Sequence, residues 1–164
     1  MKNLYLVGGT MGVGKTTVCQ ILKTKLPNSV FLDGHWCWDM HPFQITDETR
    51  QMVMHNICYQ LNNFIGCSAF ENIIFCWVMH EQSIISDILS RLKLDNCCVK
   101  SISLICSEPA LIKRLQKDVS ARLRSPDVIE RSIRRIPLYQ NLNTFKVDVS
   151  EMSPTEVADY ISKL

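Results

Sequence analysis

Leu4-Tyr5-Leu6-Val7-Gly8-Gly9-Thr10-Met11-Gly12-Val13-Gly14-Lys15-Thr16-Thr17 is the stretch on which the reading of this chain turns. Its apolar start is a strand, and Val18, Ile21, Leu22 and Leu26 continue at helical spacing until Pro27-Asn28 stops them. Between strand and helix, Gly9-x4-Gly14-Lys15-Thr16 matches the Walker A phosphate-loop pattern in full. Glycines let such a loop curl so that successive N–H groups point inward at phosphate oxygens, and the dipole of the following helix adds positive potential. Lys15 is expected to reach the β- and γ-phosphates of ATP, and the Thr16 hydroxyl to ligate Mg²⁺. Gly9, Thr10, Met11, Gly12, Val13, Gly14 and Thr17 complete the expected cradle. The alternative is a glycine-rich turn that only joins a strand to a helix; the spacing and the Lys-Thr pair together argue against it.

Outward from this loop, strands and helices alternate. Val30-Phe31-Leu32 is a second short strand, closed by Asp33-Gly34 and an aromatic loop, His35-Trp36-Cys37-Trp38-Asp39-Met40-His41-Pro42. A helix is expected from Thr46 to Ile65, with Thr46 as its cap and Asp47 and Glu48 in its first turn. Ile73 to Val78 is continuously apolar, the pattern of a strand buried on both faces in a parallel sheet. Ile84 to Leu92 reads as a helix and Val99 to Cys106 as a strand. Glu108 to Lys117 and Val128 to Tyr139 are helices either side of a polar hinge with Ser125-Pro126-Asp127, and Phe145 to Asp148 is a last strand. Ser153-Pro154-Thr155-Glu156 opens a terminal helix with a capping box. This order predicts an α/β fold on a parallel sheet, and 164 residues fit a single domain spanning 1–164.

Composition narrows the partners. Hydrophobic residues at 46% and charged ones at 21% are a globular balance, and no run approaches the roughly 20 apolar residues needed to cross a bilayer. The opening residues read as a strand, not as a signal peptide, because glycines break the apolar run and no small-residue cleavage site follows. Eight cysteines without a CxxC pair, several among apolar neighbours, are expected to be free thiols of a cytoplasmic protein; structural zinc is not expected. A net charge of +2 does not call for a nucleic-acid partner.

Asp33 ends the second strand as Gly9 follows the first, so both lie on one sheet edge, where open α/β sheets gather ligands. A carboxylate there can accept the proton of an acceptor hydroxyl, hold Mg²⁺, or both; the plain alternative is an Asx-turn before Gly34. His35, Trp36, Trp38 and Asp39 supply aromatic faces and polar tips suited to a ring-bearing or amphipathic acceptor, or else they cap the core and the surface. Arg50 is either a bidentate clamp for an anionic group or a solvated helix arginine. No acid follows the third strand, which disfavours a motor ATPase.

The phosphate loop and this element order resemble the small P-loop kinases, a group that includes gluconate, shikimate, adenylate and chloramphenicol-modifying kinases. The resemblance implies a three-layer α/β/α fold with a five-stranded parallel sheet in the order 2-3-1-4-5, a helical lid over ATP, and an acceptor site opposite the phosphate loop. Phe31-Leu32-Asp33-Gly34-His35, His41-Pro42 and Asp47 to Arg50 are similar to the gluconate-kinase pattern of Leu-Asp-Gly-Asp, His-Pro and Asp-x-x-Arg. His35 stands where that pattern has a second acid, and Trp36 to Asp39 lengthen the loop. Eight basic residues between Lys113 and Arg135 fall where that group carries its lid, here about 117–133. The resemblance places Arg114 near the nucleotide and Arg122 or Arg124 on the phosphates. Val147 to Ser150 is similar to the loop that edges adenine in the same group.

The expected function is therefore transfer of the γ-phosphate of ATP, with Mg²⁺, to a small-molecule or nucleotide acceptor. A nucleotide-dependent binding module that switches a partner without phosphorylating it remains the competing reading.

Overall fold

The computed structural model describes residues 1–164. Five strands form one parallel sheet in the order β2-β3-β1-β4-β5: β1 (Lys2–Gly8), β2 (Ser29–Asp33), β3 (Asn72–Cys76), β4 (Cys97–Ile105) and β5 (Phe145–Asp148). The helices between them are α1 (Lys15–Lys25), α2 (Asp47–Gly66), α3 (Gln82–Ser90), α4 (Glu108–Ser120), α5 (Val128–Arg135) and α6 (Pro154–Ile161). This is the α/β/α layering and the strand order that the resemblance implied.

Both sheet faces are covered, which is why β3 is buried at all five residues and reads as unbroken apolar sequence. Side chains alternate across β1, so Tyr5 and Val7 enter one core while Leu4 and Leu6 enter the other. The first core packs α1, α4, α5 and α6 through Leu22, Leu111, Leu115 and Ile161. The second packs α2 and α3 through Val53, Ile57, Leu61 and Ile88.

Caps set several helix starts as the sequence suggested. Thr46 accepts from the Thr49 amide, and the expected capping box of Ser153 with Glu156 forms. Other boundaries move. β3 stops at Cys76; the Trp77 N–H still donates to Val7 O (3.2 Å) and Val78 O still accepts from the Gly9 N–H (3.3 Å), and the chain then bends at Met79, which has φ 39°. The fourth strand is Cys97–Ile105, so it starts two residues earlier and stops short of Cys106. α4 runs three residues beyond Lys117, and α5 ends at Arg135, where Pro137 tightens Ile136–Asn141 into a 3-10 turn instead of α-helix. Gly34–Trp38, expected as loop, is also a 3-10 turn, with the His35 amide in its first turn capped by the Asp33 carboxylate. All eight cysteines are free, and no helix is long and apolar enough to cross a membrane.

Candidate active site

β1 ends in the middle of the sheet and delivers the phosphate loop between β3 and β4. The loop depends on three glycines with positive φ, Gly9 (152°), Gly12 (83°) and Gly14 (105°). At Gly12 the demand is also steric: a Cβ there would stand 2.3 Å from Leu115 Cδ2, so α4 is seated directly on the loop. No acceptor within the protein is used by the N–H groups of Gly14, Lys15, Thr16 or Thr17, as expected for the free amides that open a helix. They lie at a cavity of about 580 Å³ that residues 11–18 line from below.

Lys15 is nearly enclosed, with 6% of its surface exposed, and its Nζ donates to the carbonyls of Gly9 (2.8 Å) and Thr10 (3.0 Å). Burial lowers its pKa to about 8. Thr16 Oγ1 donates to Asp33 Oδ2 at 2.6 Å, which joins the first turn of α1 to the end of β2. The other oxygen, Oδ1, accepts the His35 amide at 3.0 Å and lies 3.0 Å from His35 Nδ1. Burial alone pushes the Asp33 carboxyl up, yet the His35 and Thr16 hydrogen bonds outweigh it and hold the group well below the usual carboxylate range. Asp33 is thus a buried carboxylate that stays anionic, and it is both the Asx-type cap of the 3-10 turn and a partner of the phosphate loop.

The far wall comes from the second half of the chain. Arg114 donates from Nη1 to Val13 O (3.1 Å) and from Nη2 to Val149 O (2.6 Å), and Arg124 reaches into the cavity while paired with Asp118 at 3.0 Å. Val149, Met152 and Pro154, from the turn between β5 and α6, close one end.

The sequence profile of the AAA domain family matches residues 6–133, most of the chain. The chain belongs to the AAA domain family. In three dimensions this AAA domain is similar to the tunicamycin resistance protein of Deinococcus radiodurans, with a TM-score of 0.72 and 16% identity over 99% of this chain and 95% of that one. It is similar also to a gluconokinase from Sinorhizobium meliloti 1021, with a TM-score of 0.66 and 16% identity over 96% and 87% of the two chains. A shikimate kinase from Acinetobacter baumannii, solved in complex with shikimate, gives a TM-score of 0.64 and 20% identity over 98% and 90%. These likenesses show that the AAA domain has the fold of the small P-loop kinases. No curated protein matches it in sequence.

Of the residues singled out in the sequence, the AAA domain brings Met11 to Thr17, Asp33, His35, Arg114 and Arg124 to one cavity, with Gly9 and Thr10 beneath it. Others lie elsewhere. Arg122 is exposed, at φ 57° in the turn after α4, and does not line the cavity. Trp36 is 55% exposed and packs edge-on against Phe31. Trp38 packs at a tilt beside Trp77 and Phe43, partly buried against the second core, and does not line the cavity. Asp39 and Arg50 are exposed, without ion pairs. Arg131 and Arg134 pair with Asp127 and Glu130 one helical turn away, as solvated helix arginines do. Met152, Pro154 and Val157 escaped the sequence reading; the only signal was that their helix follows the strand next to β4.

Proposed function

We propose that the chain is an ATP-dependent phosphotransferase for a small-molecule or nucleotide acceptor. The observation that carries this reading is the contact between Thr16 and Asp33, which sets an anionic carboxylate at the mouth of a phosphate loop, in the same cavity as Lys15. A nucleotide-binding module can use such a carboxylate for Mg²⁺ alone, so phosphate transfer itself is what separates the two readings. In phosphoryl transfer, catalysis is mostly positioning and charge stabilisation, and each part has a candidate. Lys15 leaves its two carbonyls for the β- and γ-phosphates. Arg124 exchanges Asp118 for the transferring group, with Arg122 beside it in the same lid segment. Asp33 orients the acceptor hydroxyl; a group held so far toward its ionised form is a weak proton acceptor, so orientation is its main task.

Mg²⁺ fits the residues present. Thr16 Oγ1 and Asp33 Oδ2 are adjacent hard oxygens, and Mg²⁺ in such sites takes one or two protein oxygens together with substrate phosphates and water. When bound, it neutralises charge on the β- and γ-phosphates. On the acceptor side His35 lines the cavity, and Trp36, Trp38, Asp39 and Arg50 belong to the turn and helix that continue from it.

The test is ADP release from ATP with Mg²⁺ across a panel of hydroxyl-bearing compounds, shikimate and gluconate among them, together with nucleosides and nucleoside monophosphates, with phosphate transfer followed by ³¹P NMR. Acceptor-dependent release with a phosphorylated product supports the proposal. Nucleotide binding with no transfer to any hydroxyl compound favours the binding module.

A further inference from the structure

Arg114 joins two loops that are remote in sequence, through its bonds to Val13 O and Val149 O. Two of the three parts are rigidly held. α4 is fixed in the first core by Leu111 and Leu115, both fully buried, and Val149 donates its own N–H to Ile105 O at 2.8 Å. Val13 is the third part and belongs to the phosphate loop. Its peptide unit with Gly14 is planar and trans, so the Val13 C=O and the Gly14 N–H point in opposite directions. A carbonyl committed to Arg114 therefore fixes the Gly14 N–H on the opposite side of the peptide, where no acceptor within the protein takes it, in a residue that lines the cavity. The same bond polarises the amide and strengthens that N–H as a donor. Gly14 needs such a hold, since a glycine at φ 105° has no side chain to keep it there.

We infer that Arg114 is a positioning residue that aims the Gly14 amide at bound phosphates, so that its loss weakens polyphosphates with or without a base. This rests on reading the cavity as a nucleotide site. It differs from two simpler roles, in which Arg114 lies against the base or attracts phosphate through its charge alone.

Calorimetric titration of wild type, Arg114→Ala and Arg114→Lys separates these, using a non-hydrolysable ATP analogue with Mg²⁺ and, in parallel, inorganic tripolyphosphate with Mg²⁺. Lysine keeps the charge, but a single ammonium on a flexible stem does not reproduce the fork that spans two carbonyls. Both variants are expected to lose roughly tenfold in affinity for both ligands, the scale of one charge-assisted hydrogen bond. The ratio of the two affinities should stay as in wild type. A variant that weakens only the ATP analogue overturns the inference in favour of base contact. Wild-type affinity in Arg114→Lys overturns it in favour of charge alone. Should Arg114→Ala not fold, the lysine variant with the two ligands decides. Failure of the wild type to bind either ligand would instead overturn the nucleotide-site reading itself.

Discussion

A lysine ammonium almost withdrawn from water, resting on two carbonyls, is poorly solvated for a full charge, and this is the state of Lys15 before any phosphate arrives. Its folded pKa of about 8 lies below the ordinary lysine value of 10.5, so between those values the unfolded chain binds more protons than the folded one. Stability of the ligand-free protein therefore gains from this group as pH rises through that window. Lys15→Met, which removes the buried charge, should match or exceed wild type in thermal stability at pH 7, by on the order of 1–3 kcal/mol. The difference should shrink toward pH 10, as paired melting curves can show, while transfer falls by at least ~100-fold. Asp33 has the opposite sign. Its folded value is depressed, so its contribution is full above the ordinary carboxylate range, shrinks as pH falls below that range, and is gone only once pH has fallen through the folded value. Asp33→Asn should destabilise most at pH 7 and progressively less as pH falls below the ordinary carboxylate range, and should lower turnover by roughly 10²-fold or more while nucleotide binding persists. Full turnover per folded molecule would leave Asp33 as a turn residue only.

At the level of elements, α5 is anchored to the phosphate loop. The Ile136 amide bonds back to Ile133 O, which frees the Ser132 carbonyl, and Thr10 Oγ1 donates to it at 2.9 Å inside the protein. A residue of the phosphate loop thus caps the C-terminal end of α5. Thr10→Val keeps the shape and removes the donor, so amide exchange in 128–135 should accelerate by about tenfold, and Thr10→Ser should restore it. Unchanged exchange in the valine variant would show that packing of Val128 and Ile133 suffices. The anchoring bears on the expected lid of 117–133. Residues 117–120 continue α4, and Val128 and Ser132 are buried, so we propose that 121–127 is the part that moves. Hydrogen exchange there should slow on adding a non-hydrolysable ATP analogue with Mg²⁺; equal exchange with and without it would mean no closure. The charges in 113–135 showed that an anion or water must be near, but not which arginine finds a carboxylate first. Arg124 with Asp118 is a contact across a turn that no periodicity encodes.

Across the whole molecule, alternation of apolar runs was enough for an α/β fold, because β3 and β1 are buried on both faces and read as such. Strand order was not legible from that pattern and came from the resemblance of the phosphate loop and its surroundings. The phosphate loop was read in full because its chemistry is local in sequence. Of the far wall, Arg114, Arg124 and the turn after β5 were reached through the resemblance, whereas Met152 and Pro154 were not, since they meet the loop only through the crossing of α6 over α1. Trp38 was offered as an acceptor face because sequence shows an aromatic but not what lies on it. Leu115→Ala and Ile57→Ala, one in each core, should each cost about 2–5 kcal/mol in chemical denaturation. Only the first should weaken nucleotide binding, because Leu115 supports Gly12. Equal loss of affinity in both would mean that the two cores act as one.

That division has a consequence for descent. The elements that seat the phosphate loop belong to the first core, whereas the segment from Trp38 through α2 rests on the second, with only the sheet shared between them. Substitutions that remodel the acceptor side can accumulate with little effect on how the nucleotide is held, since distant sites add nearly independently. On the kinase function proposed for it, a lineage built this way can change its acceptor while inheriting intact the machinery that holds the nucleotide.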